Sequence, residues 1–456
     1  MGSLTHQSQS VPAEESQATS TSGVAAQRGP SRRRPLGGVF AALVLFMIIY
    51  FARPEDWIPG FSTAPLAKIA GILVLLALIF SLRQIQQRLP RESLFVALLV
   101  GQLFLSSALS PVWRGGAFQL TLNFAKVFMV ILVVGAAVTT IGRLRTLIFA
   151  QALSVAAIAA VAIWKGRLVL GRLEGILGGN YADPNDLALS IIISLPLCLA
   201  LLFLSKRWLS KILWSISLLV MAYAVLLTGS RGGFLALVVV AAVCLWEFAI
   251  RGRRPYLLGL AILAGLILWQ SVGGIVVGRF KGTLNESDDT SASYGSAQAR
   301  QQLFWRSVEV TKEHPLFGVG PGNFDQVSGQ WHTTHNSLTL MSSEGGLPAL
   351  VLYVLILFSG FKNLRTIKRL APRLTKSRLL AGALFASLAG YAVGSVFLSV
   401  AYSFFPYILV AYTTALLSIA RKSAAQAREL DPARQKTLRK QRYLQTAEPE
   451  NILSPV

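Results

Sequence analysis

Blocks of uninterrupted apolar residues, many close to 20 residues long, constrain the fold of this 456-residue chain more than any other feature. A helix of that length crosses about 30 Å of hydrocarbon. Each segment inside lipid must satisfy its own backbone hydrogen bonds, so the blocks are predicted to be helices. They lack the polar faces that helices of a soluble protein show at helical spacing. The sequence therefore predicts an all-α polytopic membrane protein.

About twelve transmembrane helices are predicted from these blocks. The last two are separated only around Ser399 and Val400, which predicts a tight hairpin between them. The predicted spans cover roughly residues 37–52, 64–82, 93–110, 118–140, 144–164, 186–204, 210–228, 232–250, 256–272, 336–360, 378–398 and 401–420.

The basic residues are distributed unevenly between the two sides of this arrangement. The net charge is +23, and about 30 of the 43 Lys and Arg residues fall in the two tails and in alternate short loops. Membrane proteins retain such loops in the cytoplasm, so both termini are predicted to be cytoplasmic. This distribution explains the charge without nucleic acid, which is not expected as a partner.

Three regions follow from composition. Residues 1–36 are rich in Ser, Gln, Ala and Thr and are predicted to form a disordered cytoplasmic tail. Residues 37–420 form the predicted transmembrane domain, whose first span lacks a cleavage site and is expected to be retained. Within it, residues 273–335 form one long outer loop, and loops of that length are usually functional. Residues 421–456 form a basic cytoplasmic tail.

The turn between the seventh and eighth spans is a candidate anion site. Ser230 is a good N-cap, Arg231 begins the next helix, and Gly232 allows a close approach to the backbone. A helix N-terminus beside an arginine attracts negative charge. An arginine that only reaches toward the lipid headgroups would show the same position.

The long outer loop contains a second candidate arginine. Residues 298–315 have the pattern of an amphipathic helix, on which Arg300 could face either the membrane or solvent. The following segment 318–322 has the spacing of a dinucleotide loop, but Asn323 stands where the third glycine is required and no strand precedes it. We therefore interpret this segment as a glycine-rich turn that returns the chain to the membrane.

His335 lies where the loop meets the tenth span, beside Asn336. A histidine at this boundary can act as a general base near neutral pH. Glu344 is predicted to face the interior of the bundle, and Gly345-Gly346 could kink the helix after it. No metal site is expected from the histidines, which lack nearby carboxylate or thiolate partners.

A cation at the first outer loop is a weaker alternative. Glu55 and Asp56 are adjacent there, and two carboxylates can hold a metal ion. Their side chains are expected to point in different directions.

The motifs in their order resemble the O-antigen ligase and polymerase superfamily. The similarity covers about residues 170–360 in motif and the whole chain in topology. The segments that carry it are Asp183-Pro184-Asn185-Asp186, Ser230-Arg231-Gly232, Arg300, the run from His314 to Phe324, His335-Asn336-Ser337-Leu338 and Glu344-Gly345-Gly346-Leu347.

The resemblance implies a C-type glycosyltransferase-like fold and a lipopolysaccharide-related activity in the bacterial inner membrane. The donor would be a glycan on undecaprenyl diphosphate, transferred on the periplasmic side to a hydroxyl of a glycolipid or polysaccharide. Arg231 and Arg300 correspond to the arginines that hold the diphosphate, and His335 corresponds to the base. Further substrate-binding residues would be Ser230, Gly232, Asn336 and Glu344. The reaction would invert the anomeric centre and would need no metal or cofactor.

Three functions remain open from the sequence. A ligase would join the glycan to lipid A–core or another acceptor. A polysaccharide polymerase or a protein O-glycosylation ligase would use the same chemistry. A twelve-span polysaccharide transporter would more often show two related halves and interrupted helices in the middle of the membrane.

Overall fold

A computed structural model describes residues 37–61, 65–86, 90–169, 172–175, 181–284, 292–330, 332–372 and 375–446. The predicted N-terminal tail, residues 1–36, lies outside this part of the chain. The helices are α1 (Gly37–Ala52), α2 (Pro54–Trp57), α3 (Leu66–Gln86), α4 (Arg91–Ala108), α5 (Arg114–Ala137), α6 (Ile141–Lys165), α7 (Pro184–Leu204), α8 (Trp208–Leu227), α9 (Arg231–Cys244), α10 (Tyr256–Leu284), α11 (Ala292–Glu313), α12 (Phe324–Val327), α13 (Ser337–Leu370), α14 (Lys376–Gly394) and α15 (Phe404–Thr446).

Two short elements complete the described secondary structure. A π-helix over Leu245–Ile250 continues α9 without a break. The strands β1 (Leu168–Val169) and β2 (Arg172–Leu173) pair antiparallel in the connection between α6 and α7. The prediction of an all-α polytopic membrane protein is confirmed, since this hairpin is the one β-element among the described residues.

Ten segments among the described residues are long and apolar enough to cross a membrane. They coincide with ten of the twelve predicted spans. The other two predicted spans fall on α3 and α10, whose apolar stretches, Lys68–Phe80 and Tyr256–Ile267, are shorter. Exposed Ile72 and Phe80 on α3 and Ile262 on α10 suit contact with lipid.

The most buried spans of the bundle are α7 and α15, and α7 and α13 each pack against several other helices. α7 packs against α6, α8, α9 and α14, and α13 packs against α4, α11, α14 and α15. Nearly every residue of α7 from Leu187 to Leu201 is buried. The beginnings of α7, α9 and α13 lie at one end of the bundle, which we call the site end.

The connection between the last two spans differs from the predicted tight hairpin. α14 ends at Gly394 and α15 begins at Phe404, so residues 395–403 form a connecting segment of their own. Backbone groups of this segment bond to Ser337 rather than continuing either helix. Helical periodicity does not report such bonds between distant parts of a chain.

The outer loop and the C-terminal region hold more helix than the sequence indicated. α10 continues to Leu284, and α11 contains most of the predicted amphipathic segment. Residues 421–446 of the basic tail continue α15. Gly346, with φ 80° and ψ 173°, interrupts α13, which confirms the predicted kink after Glu344.

Candidate active site at the site end

The turn from α8 to α9 presents Arg231 on the first residue of a helix. Gly229 takes a left-handed conformation with φ 57°, which reverses the chain after α8. The Ser230 hydroxyl then accepts a hydrogen bond from the Gly233 N–H at 3.1 Å, so the predicted N-cap is confirmed. Arg231 therefore stands at the N-terminal end of a helix, where the backbone dipole favours negative charge.

His335 occupies the residue before the cap of α13. Its φ of 52° is left-handed, which is uncommon for any residue except glycine. The Thr334 hydroxyl donates to the Asn336 carbonyl at 2.8 Å, and the Asn336 side chain accepts from the N–H of Leu338 at 2.8 Å. This local network holds the backbone of His335 in its strained conformation.

The connecting segment 395–403 joins the two turns. The Ser337 N–H donates to the Ser395 carbonyl at 2.8 Å, and the Ser337 hydroxyl donates to the Leu398 carbonyl at 2.6 Å. A Cβ atom on Gly232 would lie 2.7 Å from the Cβ of Phe397, so the segment also packs directly on the start of α9. One segment therefore fixes the His335 turn relative to the Arg231 turn.

Arg300 on α11 completes a cluster of charges with these turns. Burial and the nearby charge of Arg231 lower the pKa of the Arg300 guanidinium, while Asp183 opposes them. Burial and the charge of Arg300 lower the pKa of His335 below its ordinary value, again against Asp183. Arg300 forms none of the ion pairs found among the described residues.

Two consequences follow from this arrangement. An anion bound near Arg300 and Arg231, in addition to the Asp183 carboxylate, would reduce the repulsion between the two guanidinium groups. The lowered pKa of His335 favours the neutral imidazole, which is the form that accepts a proton. The structure thus brings together all three residues predicted to be catalytic.

Arg172 of this site was not singled out from the sequence, and Asp183 was named there only within a motif, without a role in the site. Arg172 on β2 donates to the Thr228 carbonyl at 3.0 Å and to the Asn185 side chain at 2.9 Å. It therefore ties the end of α8 to the beginning of α7. Asp183 caps α7 by accepting from the Asn185 N–H at 2.7 Å, and its charge acts on both Arg300 and His335.

The residues predicted to bind substrate make mainly internal contacts. Ser230 and Asn336 serve as helix caps, and Gly232 provides space for Phe397. The Glu344 carboxylate accepts from the Phe324 N–H at 3.2 Å and is almost fully buried. Their roles in substrate binding stay predictions, because these contacts hold the fold around the cluster.

The glycine-rich segment packs against the kink of α13, as predicted for a structural turn. Gly318, Gly320 and Gly322 all have positive φ values, between 66° and 97°. The Val319 N–H donates to the Ser343 carbonyl and the Gly320 N–H donates to the Glu344 carbonyl, both at 2.9 Å. This turn anchors the outer loop, including α11 with Arg300, to the bundle.

A cavity of about 320 Å³ opens against the connecting segment 395–403, and its lining does not include Arg231, Arg300 or His335. It adjoins the cluster through Asp186, one turn from Asp183, and through Ser399, which accepts a hydrogen bond from the Thr333 hydroxyl at 2.7 Å. The Ser403 hydroxyl is buried in its wall without a hydrogen-bond partner, and the buried Tyr402 hydroxyl lies beside the Glu344 carboxylate. The lining also includes Tyr50, Asn123, Phe124, Ser190 and Phe404. Aromatic faces with an unsatisfied polar group are typical of a binding pocket.

One of the two carboxylates of the first outer loop is already bonded to an arginine. The Arg53 guanidinium bonds to Asp56 through two nitrogen atoms, which leaves Glu55 as the other carboxylate of the pair. In the described part of the chain, no three His, Cys, Asp or Glu residues cluster in a way that could hold a metal ion.

Comparison with known families gives a match for the middle of the chain. Residues 216–354 match the family described as O-antigen ligase. The matched segment includes Arg231, Arg300 and His335, and it confirms the resemblance drawn from the sequence motifs. None of the curated proteins compared with the chain matches it. The match supports glycan transfer of the ligase or polymerase type in general.

Proposed function

We propose that this O-antigen ligase-like membrane protein transfers a glycan from a polyprenyl diphosphate, such as undecaprenyl diphosphate, to a hydroxyl acceptor. The observation that carries the proposal is the cluster of Arg231, Arg300 and His335 at the site end. Two cations and one neutral imidazole suit an anionic leaving group and a hydroxyl nucleophile. The family match, which covers all three residues, supports glycan transfer of the ligase or polymerase type in general.

Each residue has a distinct role in the proposed reaction. The guanidiniums of Arg231 and Arg300 hold the diphosphate, since a planar fork can donate two parallel hydrogen bonds to phosphate. His335 takes the proton of the acceptor hydroxyl as its oxygen bonds to the anomeric carbon. The bond from that carbon to the phosphate oxygen breaks, and its electron pair leaves with the diphosphate. Attack from the opposite face inverts the anomeric centre and requires no metal.

The cavity at the connecting segment 395–403 is the proposed position for the acceptor. It lies within one helical turn of Asp183, and its Ser403 hydroxyl could bond to a sugar hydroxyl group. This position would place an acceptor next to His335 while the diphosphate lies against the arginines. Lipid A–core, a growing polysaccharide and a hydroxyl side chain of a protein each offer such an acceptor.

The proposed location is the bacterial inner membrane, with the site end facing the periplasm and both termini in the cytoplasm. The basic loops support this orientation. A C-terminal fusion to a cytoplasmic reporter should be active, and a C-terminal fusion to a periplasmic reporter should be inactive. An active periplasmic reporter at this position would contradict the orientation.

The function is tested by mixing the purified protein with lipid-linked glycan extracted from its host and with candidate acceptors. Release of polyprenyl diphosphate together with an enlarged acceptor would support transfer. Elongation of the lipid-linked glycan without another acceptor would identify a polymerase. Movement of intact lipid-linked glycan or free polysaccharide across vesicles without bond cleavage would support a transporter instead.

Arg231→Lys tests the role of the arginine in this assay. A lysine keeps the charge but cannot form bidentate contacts, so we expect at least a 10-fold loss of transfer. Arg306→Lys, on the same helix as Arg300 but with its side chain bonded to Glu309 and Glu313, is the control. Equal rates for Arg231→Lys and the wild type would contradict the proposed diphosphate contact.

A further inference from the structure

A basic cavity of about 320 Å³ lies at the opposite end of α9 from Arg231. The segment from Arg231 to Ile250 has 20 residues, which corresponds to about 30 Å of helix. The cavity is therefore separate from the charge cluster by about the thickness of a membrane. Its walls are the π-helix, the turn that follows it and the beginning of α14.

Positive charge in this cavity exceeds negative charge. Glu247 is the carboxylate in its lining, and its Oε1 already contacts Lys368 at 2.7 Å and Arg251 at 3.4 Å. Arg253 and Arg378 line the same cavity and take part in none of the ion pairs found in the described ranges. The lining therefore presents uncompensated guanidinium groups to any ligand that enters.

The backbone that carries these arginines is specifically shaped. A π-helix of this kind often marks a functional site. It ends in a tight turn in which Arg253 takes a left-handed φ of 54°. A Cβ atom on Gly252 would lie 2.1 Å from the Phe248 carbonyl oxygen, so the turn requires glycine there. The Arg254 N–H closes the turn by donating to the Ala249 carbonyl at 2.8 Å.

Two side chains are also held in place at the cavity. The Arg254 guanidinium lies 4.1 Å from the centre of the Phe203 ring, and Arg378 donates to the Lys368 carbonyl. Each contact uses only part of the donor capacity of a guanidinium, which has five N–H groups. The remaining groups are available to a ligand at fixed positions.

We propose that this cavity binds a phosphate group, and that its source is the headgroup of an anionic phospholipid in the leaflet opposite the site end. A guanidinium group can donate two parallel hydrogen bonds to phosphate oxygens, and basic pockets between transmembrane helices bind the headgroups of anionic lipids. The basic residues Lys206 and Arg207 lie in an exposed loop at the same end and are not part of the cavity lining. They serve as the comparison, because basic residues in any exposed loop attract an anionic membrane surface.

The test uses the full-length protein in neutral detergent, with cardiolipin, phosphatidylglycerol or phosphatidylcholine added and bound lipid measured by native mass spectrometry. The double variant Arg253→Asn/Arg378→Gln removes two charges, and asparagine tolerates the left-handed backbone at position 253. We expect its affinity for the two anionic lipids to fall on the order of 10-fold or more. The control variant Lys206→Gln/Arg207→Gln removes two charges outside the cavity and should change affinity less than 3-fold.

Several results would overturn the proposal. Equal binding of phosphatidylcholine and the anionic lipids would contradict it, and so would an equal loss of affinity for anionic lipid in the control variant. If sodium phosphate binds through the same arginines and the lipids do not, the source is a soluble phosphate and the lipid assignment is wrong. If the double variant does not fold, hydrogen exchange of the wild type decides: anionic lipid should protect residues 245–254 and 375–382, and absence of protection would contradict the site.

Discussion

Replacing His335 with asparagine separates the chemistry of the imidazole from the conformation of its backbone. The φ of 52° at this position is left-handed. Asparagine adopts that conformation more readily than most residues, whereas alanine would be strained by about 1–2 kcal/mol. His335→Asn therefore removes the titratable group and largely preserves the turn before α13.

The expected loss of transfer is about 10²- to 10⁴-fold, the usual range for removing a general base. It corresponds to about 2.7–5.5 kcal/mol in the activation free energy. His335→Ala should lose a similar factor in transfer and should also unfold at a lower temperature than His335→Asn. The backbone strain thus appears in stability, and the missing base appears in the rate of transfer.

The assay measures steady-state transfer by purified protein over a range of lipid-linked glycan concentrations, so that kcat/KM is obtained at each pH. The acid limb of the kcat/KM profile of the wild type should lie below the ordinary pKa of histidine, because burial and Arg300 lower the pKa of His335. This limb should vanish in His335→Asn. A transfer rate within about threefold of the wild type, with the acid limb unchanged, would refute the assignment of the base.

Three further predictions concern the site and its support. Arg300→Gln removes a charge that lowers the pKa of His335, so the acid limb of the kcat/KM profile should move to higher pH. An unchanged limb would show that the charge of Arg300 does not act on the pKa of His335. Gly346→Ala should lower thermal stability by about 1–3 kcal/mol or more, since its φ is 80° and a Cβ would lie 2.4 Å from the Leu316 carbonyl oxygen. Gly101→Ala, where a Cβ has open space, should not, and melting followed by circular dichroism compares the two. A chelator should leave transfer unchanged; loss of transfer restored by a divalent cation would favour a metal at Glu55.

The sequence predicted the helices and the two turns because both depend on local chemistry. Apolar blocks report membrane spans through their length, and Ser230 reports a helix start through its hydroxyl. The kink at Gly346 followed from paired glycines within an apolar helix. The predicted span boundaries follow the observed helix ends less closely where polar residues take part in contacts between distant segments.

The connecting segment 395–403 shows where sequence patterns stop being informative. Its bonds run to Ser337 and Thr333, 58 to 66 residues earlier in the chain. Its residues fit both an apolar helix and a tight hairpin, and only the partners at the start of α13 distinguish these from the observed conformation. Arg172 was missed for the same reason, since Thr228 lies 56 residues away from it.

The helix caps hold the catalytic candidates in place at the site end. Arg231 and Arg300 repel each other in a partly buried position, and the charge of Asp183 offsets part of this cost, which a bound anion would reduce further. The cost is tolerated because each residue is carried by a backbone fixed elsewhere: Arg231 by the Ser230 cap, His335 by the Asn336 cap, and α11 by the glycine-rich turn at Gly320. Residues predicted to touch substrate therefore serve first to hold unfavourable charges in place, and this preorganisation is what a diphosphate would exploit.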